Sequence, residues 1–321
     1  MIAVARGTSF VGEYGVAGET YNGHERRNAL SPLLGVDDYQ PLSSVVRAEI
    51  DARSHQGQIR QSNDDHYLVV RLARGQDVIA TSLPRSDVPA KFEESGYAML
   101  VADGIGDTGS GAVASRVALS SVAHLAIHYG HWNLRIDPAT ASEIKERAEW
   151  FYRCADDAVV VKSRTNAVLT GMCTTLTAAY SAGDELFIAH VGHSRAYLFR
   201  EGSLTQLTRD HTVAWQTTAT GRLTGVDRGT RDLQHILTDT IGGRVEGPCV
   251  DVDQVRLSDG DIVLLCTNGL TDMVSDNRIS EVLALRRASG EQCQLLVDLA
   301  LRAGGTDNVT VVIAQYRIPE A

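Results

Sequence analysis

The chain has 321 residues, 43% hydrophobic and 22% charged, enough for one large core with extensions. Its net charge of −10 argues against a nucleic-acid partner, which needs a basic footprint, and suits a cluster of carboxylates that a cation would neutralise. Five scattered cysteines without C-x-x-C spacing exclude a disulfide framework and a zinc knuckle and point to a reducing, cytoplasmic compartment. No apolar run approaches the ~18 residues of a membrane span, and no signal-peptide core opens the chain, so no membrane partner is expected.

Residues 1–42, rich in Gly, Asn and Glu and without a sustained period, read as an extension, which leaves 43–321 as the folded domain. Apolar–polar alternation predicts a half-buried strand over 45–50, and a second strand follows at 67–70. Residues 74–94 hold glycine, two prolines and mixed charge, and read as a loop or hairpin excursion. An apolar run from Ala98 then ends in Asp103-Gly104-Ile105-Gly106.

Beyond it, Ala114, Ala118, Val122, Leu125 and Tyr129 recur at helical spacing, with Gly130 as the stop. A second helix is expected to open at Thr140, with Glu143 three residues later in a capping-box pattern. Short strands follow at 175–180, 186–191, 196–199 and 204–207, joined by tight turns that argue for antiparallel pairing. Residues 211–247 are polar and irregular, which suits a mobile flap. Strands at 250–257 and 262–267, helices at 279–287 and 291–302, and a last strand at 309–313 complete the order. That order predicts an α+β fold in which helices cover packed antiparallel sheets.

Three strand ends deliver a carboxylate or amide oxygen beside glycine: Asp103-Gly104, Asn268-Gly269, and Asp307 after Gly304-Gly305. Any one alone reads as a turn residue bonding its own backbone. Together they suggest a hard divalent metal site.

The motifs that complete the pattern occur in order. They are R-x-x-N-x-D at 60–65, V-A-D-G-x-G at 101–106, A-S at 114–115, G-M-x-T-T-L at 171–176 and A-H-V-G-x-S-R-A-Y-L at 189–198. L-T-x-D-H-T at 207–212, I-G-G at 241–243, L-L-C-T-x-G-L-T-D at 264–272 and G-G-T-D-N-V-T at 304–310 follow. From about residue 45 to 316 the chain resembles the metal-dependent Ser/Thr protein phosphatases of the PPM type, particularly bacterial members. The resemblance implies a four-layer α/β/β/α sandwich of two antiparallel sheets flanked by helix pairs. It implies a phosphoprotein phosphatase that cleaves phosphoserine and phosphothreonine by attack of a metal-bound hydroxide, taken here as a monomer. The cofactor would be two Mn2+ or Mg2+ ions, with a third in question.

By the same resemblance Asp103 bridges two ions, Gly104 offers its carbonyl, Asp307 binds the first ion, and Asp65 supports the site directly or through water. Asp64 stands where the family has Glu or Gln. Arg60 maps to the phosphate-binding arginine, whose fork gives two parallel donors to phosphoryl oxygens. His55 lies near a position where some members place a proton-donating histidine, although a plain loop histidine fits equally. His211 reads as structural. Two departures stand out: Asn268 replaces an expected aspartate ligand, and His193 replaces an aspartate of the third-ion site, whose partner Asp272 is kept. Both weaken a hard dication, and imidazole favours Mn or Zn over Mg. The alternatives left open are a pseudophosphatase that binds phosphoproteins with little turnover, and a scaffold that binds no metal. No cysteine sits in a C-x5-R loop, which argues against a thiol nucleophile.

Overall fold

The structure is a computed structural model that describes residues 42–84, 87–88, 91–107, 109–130, 136, 138–219, 233, 235–243 and 246–319. The expected extension over 1–42 therefore lies outside the described residues except for Leu42. Residues 40–79 and 90–321 make up one compact unit, and the fold below is that unit's. In the second unit, described at 80–84 and 87–88, Thr81 Oγ1 accepts the Leu83 N–H at 2.9 Å and Pro84 O accepts the Asp87 N–H at 3.0 Å.

A turn of helix α1 (Leu42–Val45) leads into β1 (Arg47–His55), β2 (Asp65–Asp77) and β3 (Lys91–Ile105). Helices α2 (Ser110–Tyr129) and α3 (Pro138–Ser163) form the first pair. The chain continues through β4 (Cys173–Thr174), β5 (Leu176–Ala182), β6 (Glu185–Val191), β7 (Arg195–Arg200), β8 (Ser203–Gln206) and α4 (Val213–Ala219). Then come β9 (Asp251–Arg256), β10 (Ile262–Cys266), α5 (Asn268–Thr271), α6 (Asp276–Ala284), α7 (Ser289–Arg302) and β11 (Val309–Arg317). One sheet runs β1-β11-β10-β7-β8 and the other β2-β3-β5-β6-β9, with β4 paired to β3. Every pairing is antiparallel.

Side-chain parity turns these strands into layers. Met99 and Val101 of β3 meet Val263 and Leu265 of β10 and Val312 and Ala314 of β11 in the core between the sheets. The alternate residues Leu100 and Ala102 pack on Ala114, Ala118 and Tyr152 of the first helix pair. On the far side Leu264, Val311 and Ile313 pack on Ile279, Leu283 and Leu296 of α6 and α7. The result is the expected α/β/β/α sandwich. Each fully buried leucine or isoleucine in it contributes roughly 1.5–3 kcal/mol by leaving water. Helix α2 is also long and apolar enough to cross a membrane on length and composition alone. Its Ala114, Ala118 and Leu119 are buried in the outer core, so the apolar character serves packing.

Four expectations need correction. Residues 74–77 and 91–94 are strand, not excursion: β2 and β3 pair from Asp65↔Asp103 out to Asp77↔Lys91. The mixed charge there is a cross-strand ladder, Arg71 with Glu93 and Arg74 with Glu94, which replaces the apolar alternation that the eye looks for. The first strand begins at Arg47 because Val45 closes α1, and it runs on to His55. Helix α3 opens at Pro138, two residues before Thr140, where a proline loses nothing because the first N–H has no helical partner. Within 211–247, α4 forms, and bridges tie Thr212 to Leu237 and Thr174 to Ile241, while 220–232 lies outside the described residues.

Candidate functional site

Inward parity, which buries Met99 and Val101, places Asp103 at the end of β3 on the side facing the second sheet. Asp65 is its direct partner across the β2–β3 ladder. Asp65 is 4% exposed. From the opposite sheet Thr267 and Thr310 each donate a hydroxyl to Asp65 Oδ2, both at 2.7 Å. Ser54 Oγ lies 2.8 Å from Thr310 Oγ1 and extends the chain of hydroxyls into β1. Asp65 Oδ1 is buried and has no hydrogen-bond partner among the described residues. Burial, with the charges of Asp307 and Asp64, pushes the Asp65 carboxyl up to about 7 despite the two threonines. Burial and the charges of Asp65 and Asp307 hold Asp103 well above the ordinary carboxylate range, against the pull of Arg60.

Arg60 reaches the cluster from the β1–β2 loop. Its guanidinium grips Asp307 with two bonds, Nε to Oδ1 and Nη2 to Oδ2, both 2.8 Å. That hydrogen bonding raises the arginine's pKa further. The loop is pinned by Asn308, whose Nδ2 donates to the carbonyls of Gln56 (2.7 Å) and Ser62 (2.8 Å) and whose Oδ1 accepts the Asp64 N–H at 2.8 Å. Ser115 of α2 donates to the Asp64 carbonyl at 2.6 Å. Gly104 has no room for a side chain: a Cβ there would stand 2.1 Å from the Gly111 carbonyl oxygen. Its glycine identity is what allows α2 to sit directly on the strand end. Asp103 is held through its backbone, its N–H donating to Thr175 Oγ1 at 3.0 Å and its carbonyl accepting from Thr174 Oγ1 at 2.7 Å.

Beside this cluster lies a second group. Asn268 opens α5 directly after β10, and its Nδ2 donates to Asp272 Oδ2 at 3.2 Å. Burial raises the Asp272 carboxyl, opposed by His235, whose Nδ1 is 3.8 Å from Oδ2. His193, in the turn between β6 and β7, is 9% exposed and its Nδ1 has no partner among the described residues. Burial pushes it down to about 4, so it is neutral at pH 7. Asp307 exerts its charge on both groups and joins them electrostatically.

The structure thus draws together Arg60, Asp64, Asp65, Asp103, Gly104 and Asp307, with Asn268, Asp272 and His193 alongside. It does not bring in His55, whose Nδ1 accepts the Gly57 N–H at 2.9 Å within its own loop. His211 bonds Asp251 at 3.0 Å and its ring centre lies 4.8 Å from that of His190, in keeping with a structural role. Thr267, Thr310, Asn308, Ser115 and His235 went unnoticed as site residues. Thr310 carries a signal, a hydroxyl at an inward position of an otherwise apolar strand, and Thr267 continues the inward parity of β10 one residue past its end.

Among the described residues no three His, Cys, Asp or Glu side chains stand close enough to grip one ion. The fit to a divalent cation rests on charge and on one orphaned atom. Four carboxylates face a single arginine, and a buried carboxylate oxygen lacks a donor. An oxygen-rich, anionic donor set of this kind suits Mg or Mn.

A profile of the family described as "Protein phosphatase 2C" matches residues 74–299. The serine/threonine protein phosphatase PstP of Mycobacterium tuberculosis is 34% identical over 77% of this chain and 45% of its own length. The chain therefore spans about half the length of that relative. The serine/threonine phosphatase stp of Listeria monocytogenes is 30% identical over 82% of this chain and 94% of its own. The crystal structure of the PstP catalytic domain in complex with 2 manganese ions superposes with a TM-score of 0.64 at 30% identity, covering 85% of this chain and 99% of that one.

Proposed function

This chain belongs to the protein phosphatase 2C family, and on that premise we propose that it is a metal-dependent phosphatase of phosphoserine and phosphothreonine in proteins. The observation that carries the reading is the carboxylate cluster where the two sheets meet, with Asp65 Oδ1 left without a donor. A divalent cation, manganese or magnesium, would supply when bound the Lewis acidity that makes hydroxide available near neutral pH. Asp103, Asp307 and Asp65, with the Gly104 carbonyl, are the residues we assign to hold a pair of such ions. Asn268, Asp272 and His193 form a weaker flank, in which a neutral amide and a neutral imidazole replace negative charge.

Arg60 binds the substrate. Its exposed fork can leave Asp307 and offer two parallel donors to phosphoryl oxygens, stabilising the negative charge that grows there during displacement. The Thr267–Thr310 pair keeps Asp65 oriented toward Asp103, and Ser115 keeps the loop bearing Asp64 against α2. Unpaired cysteines, Cys266 and Cys293 among them buried, support a cytoplasmic location. The relatives named above are called phosphatases, and none of those names points to the binding-only alternative.

The test is hydrolysis of an aryl phosphate and of a phosphothreonine peptide across Mn and Mg titrations. Turnover is expected to need the ion and to fall by at least about a hundredfold in Asp103→Ala. Asn268→Asp should tighten Mn binding about tenfold, as expected for a restored ligand charge. A silent native chain that becomes active as Asn268→Asp would sink the enzyme reading and favour a phosphoprotein-binding role.

A further inference from the structure

At the other end of the first helix pair the packing opens. A cavity of about 360 Å³ lies between the C-terminal half of α2, the N-terminal half of α3 and the outer face of the β2-β3-β5-β6-β9 sheet. It is open to solvent on one side, a cleft rather than a sealed void. The cause is in the sequence: Ala98, Ala123, Ala126, Ala148, Ala178 and Ala189 face one another across this gap where larger side chains would fill it. The rest of the lining is largely aliphatic and aromatic, with Leu100, Val122 and Phe151. By its lining this is a binding cavity for an apolar molecule, within the size range of small-ligand sites.

The charges along its lining are one-sided. In a chain of net charge −10, the charged residues lining the cavity among the described residues are Arg71 and Arg147, with no aspartate or glutamate among them. Arg71 is paired with Glu93 and stands at the strand edge. Arg147 has a side chain 17% exposed, lies 3.4 Å from Glu143, and acts electrostatically on the Tyr180 hydroxyl, another lining group. A guanidinium has five N–H donors and so serves more than one carboxylate.

We propose that this cavity binds a medium-chain fatty acid, with the alkyl chain among the alanines and the carboxylate at Arg147. A cavity of about 150 Å³ holds the six carbons of benzene, so 360 Å³ accommodates roughly a dozen. The site is separate from the acidic cluster and does not depend on the phosphatase reading.

The experiment is calorimetric titration of the whole chain with dodecanoate below its micelle concentration, with melting curves run in parallel. Saturable 1:1 binding is expected, raising the melting temperature by about 5 °C at a hundredfold excess over Kd. Dodecanol, of equal length and without charge, should bind about tenfold more weakly, and Arg147→Gln should lose that preference. Ala126→Phe, which fills the cavity, should abolish binding, and Ala123→Leu serves if that variant does not fold. No saturable binding to the native chain, binding that survives the filling substitution, or dodecanol binding as tightly as dodecanoate would each overturn the proposal.

Discussion

Replacing Asp65 by asparagine tests the electrostatics of the proposed centre without relying on turnover. In the folded chain Asp65 is pushed from 3.8 to about 7, chiefly by burial. A group whose folded pKa is raised in this way holds a proton that the unfolded chain has already released. Between roughly pH 4 and 7 stability must therefore fall as pH rises, at up to about 1.4 kcal/mol per unit. The loss is complete above pH 7 and amounts to about 4 kcal/mol. Asparagine carries no charge, its Oδ1 can accept from Thr267 and Thr310, and its Nδ2 occupies the position of the oxygen that lacks a donor. With a chelator present, Asp65→Asn should match the native chain near pH 4 and exceed it by about 4 kcal/mol at pH 8, a gain of about 8 °C in melting temperature. Denaturant titrations every half pH unit would measure it. Saturating Mn should reverse the order at pH 8, because the carboxylate gains more from the cation than the neutral amide does. Parallel pH profiles for the two proteins in chelator would refute the reasoning.

Two other substitutions probe the same corner. Arg60→Ala should lower kcat/KM for a phosphothreonine peptide by about a hundredfold or more, the scale for removing one charge-stabilising group. Its melting temperature should move little, because the side chain is 58% exposed and such ion pairs contribute little to stability. Gly104→Ala drives a methyl to 2.1 Å from the Gly111 carbonyl. It should cost about 1–3 kcal/mol in unfolding free energy, as overpacking does, and displace the first turn of α2. A chemically stable Gly104→Ala with native turnover would show that the contact between strand end and helix is not needed.

The sequence by itself determined the layers. Period-two alternation in the strands and helical spacing in Ala114, Ala118 and Val122 are local signals, because a side chain's face depends only on its place in its own element. The same local logic put Asp103, Asn268 and Asp307 at strand ends. It failed at 74–94, where opposite charges on neighbouring strands stabilise the ladder in place of apolar residues, a pattern visible only once the two strands are aligned. The site's working details were decided by tertiary structure. Asp65 meets Thr267 and Thr310 across 202 and 245 residues of chain, and Arg60 meets Asp307 across 247. Nothing local specifies such partners. They are set by how the two sheets stack, and it is that stacking which buries one carboxylate, leaves its second oxygen without a donor, and pins the arginine loop through Asn308. Sequence placed Asp103 and Asp307 at the ends of strands; strand pairing set Asp65 beside Asp103, and the packing of one sheet on the other brought Asp307 close enough to raise both.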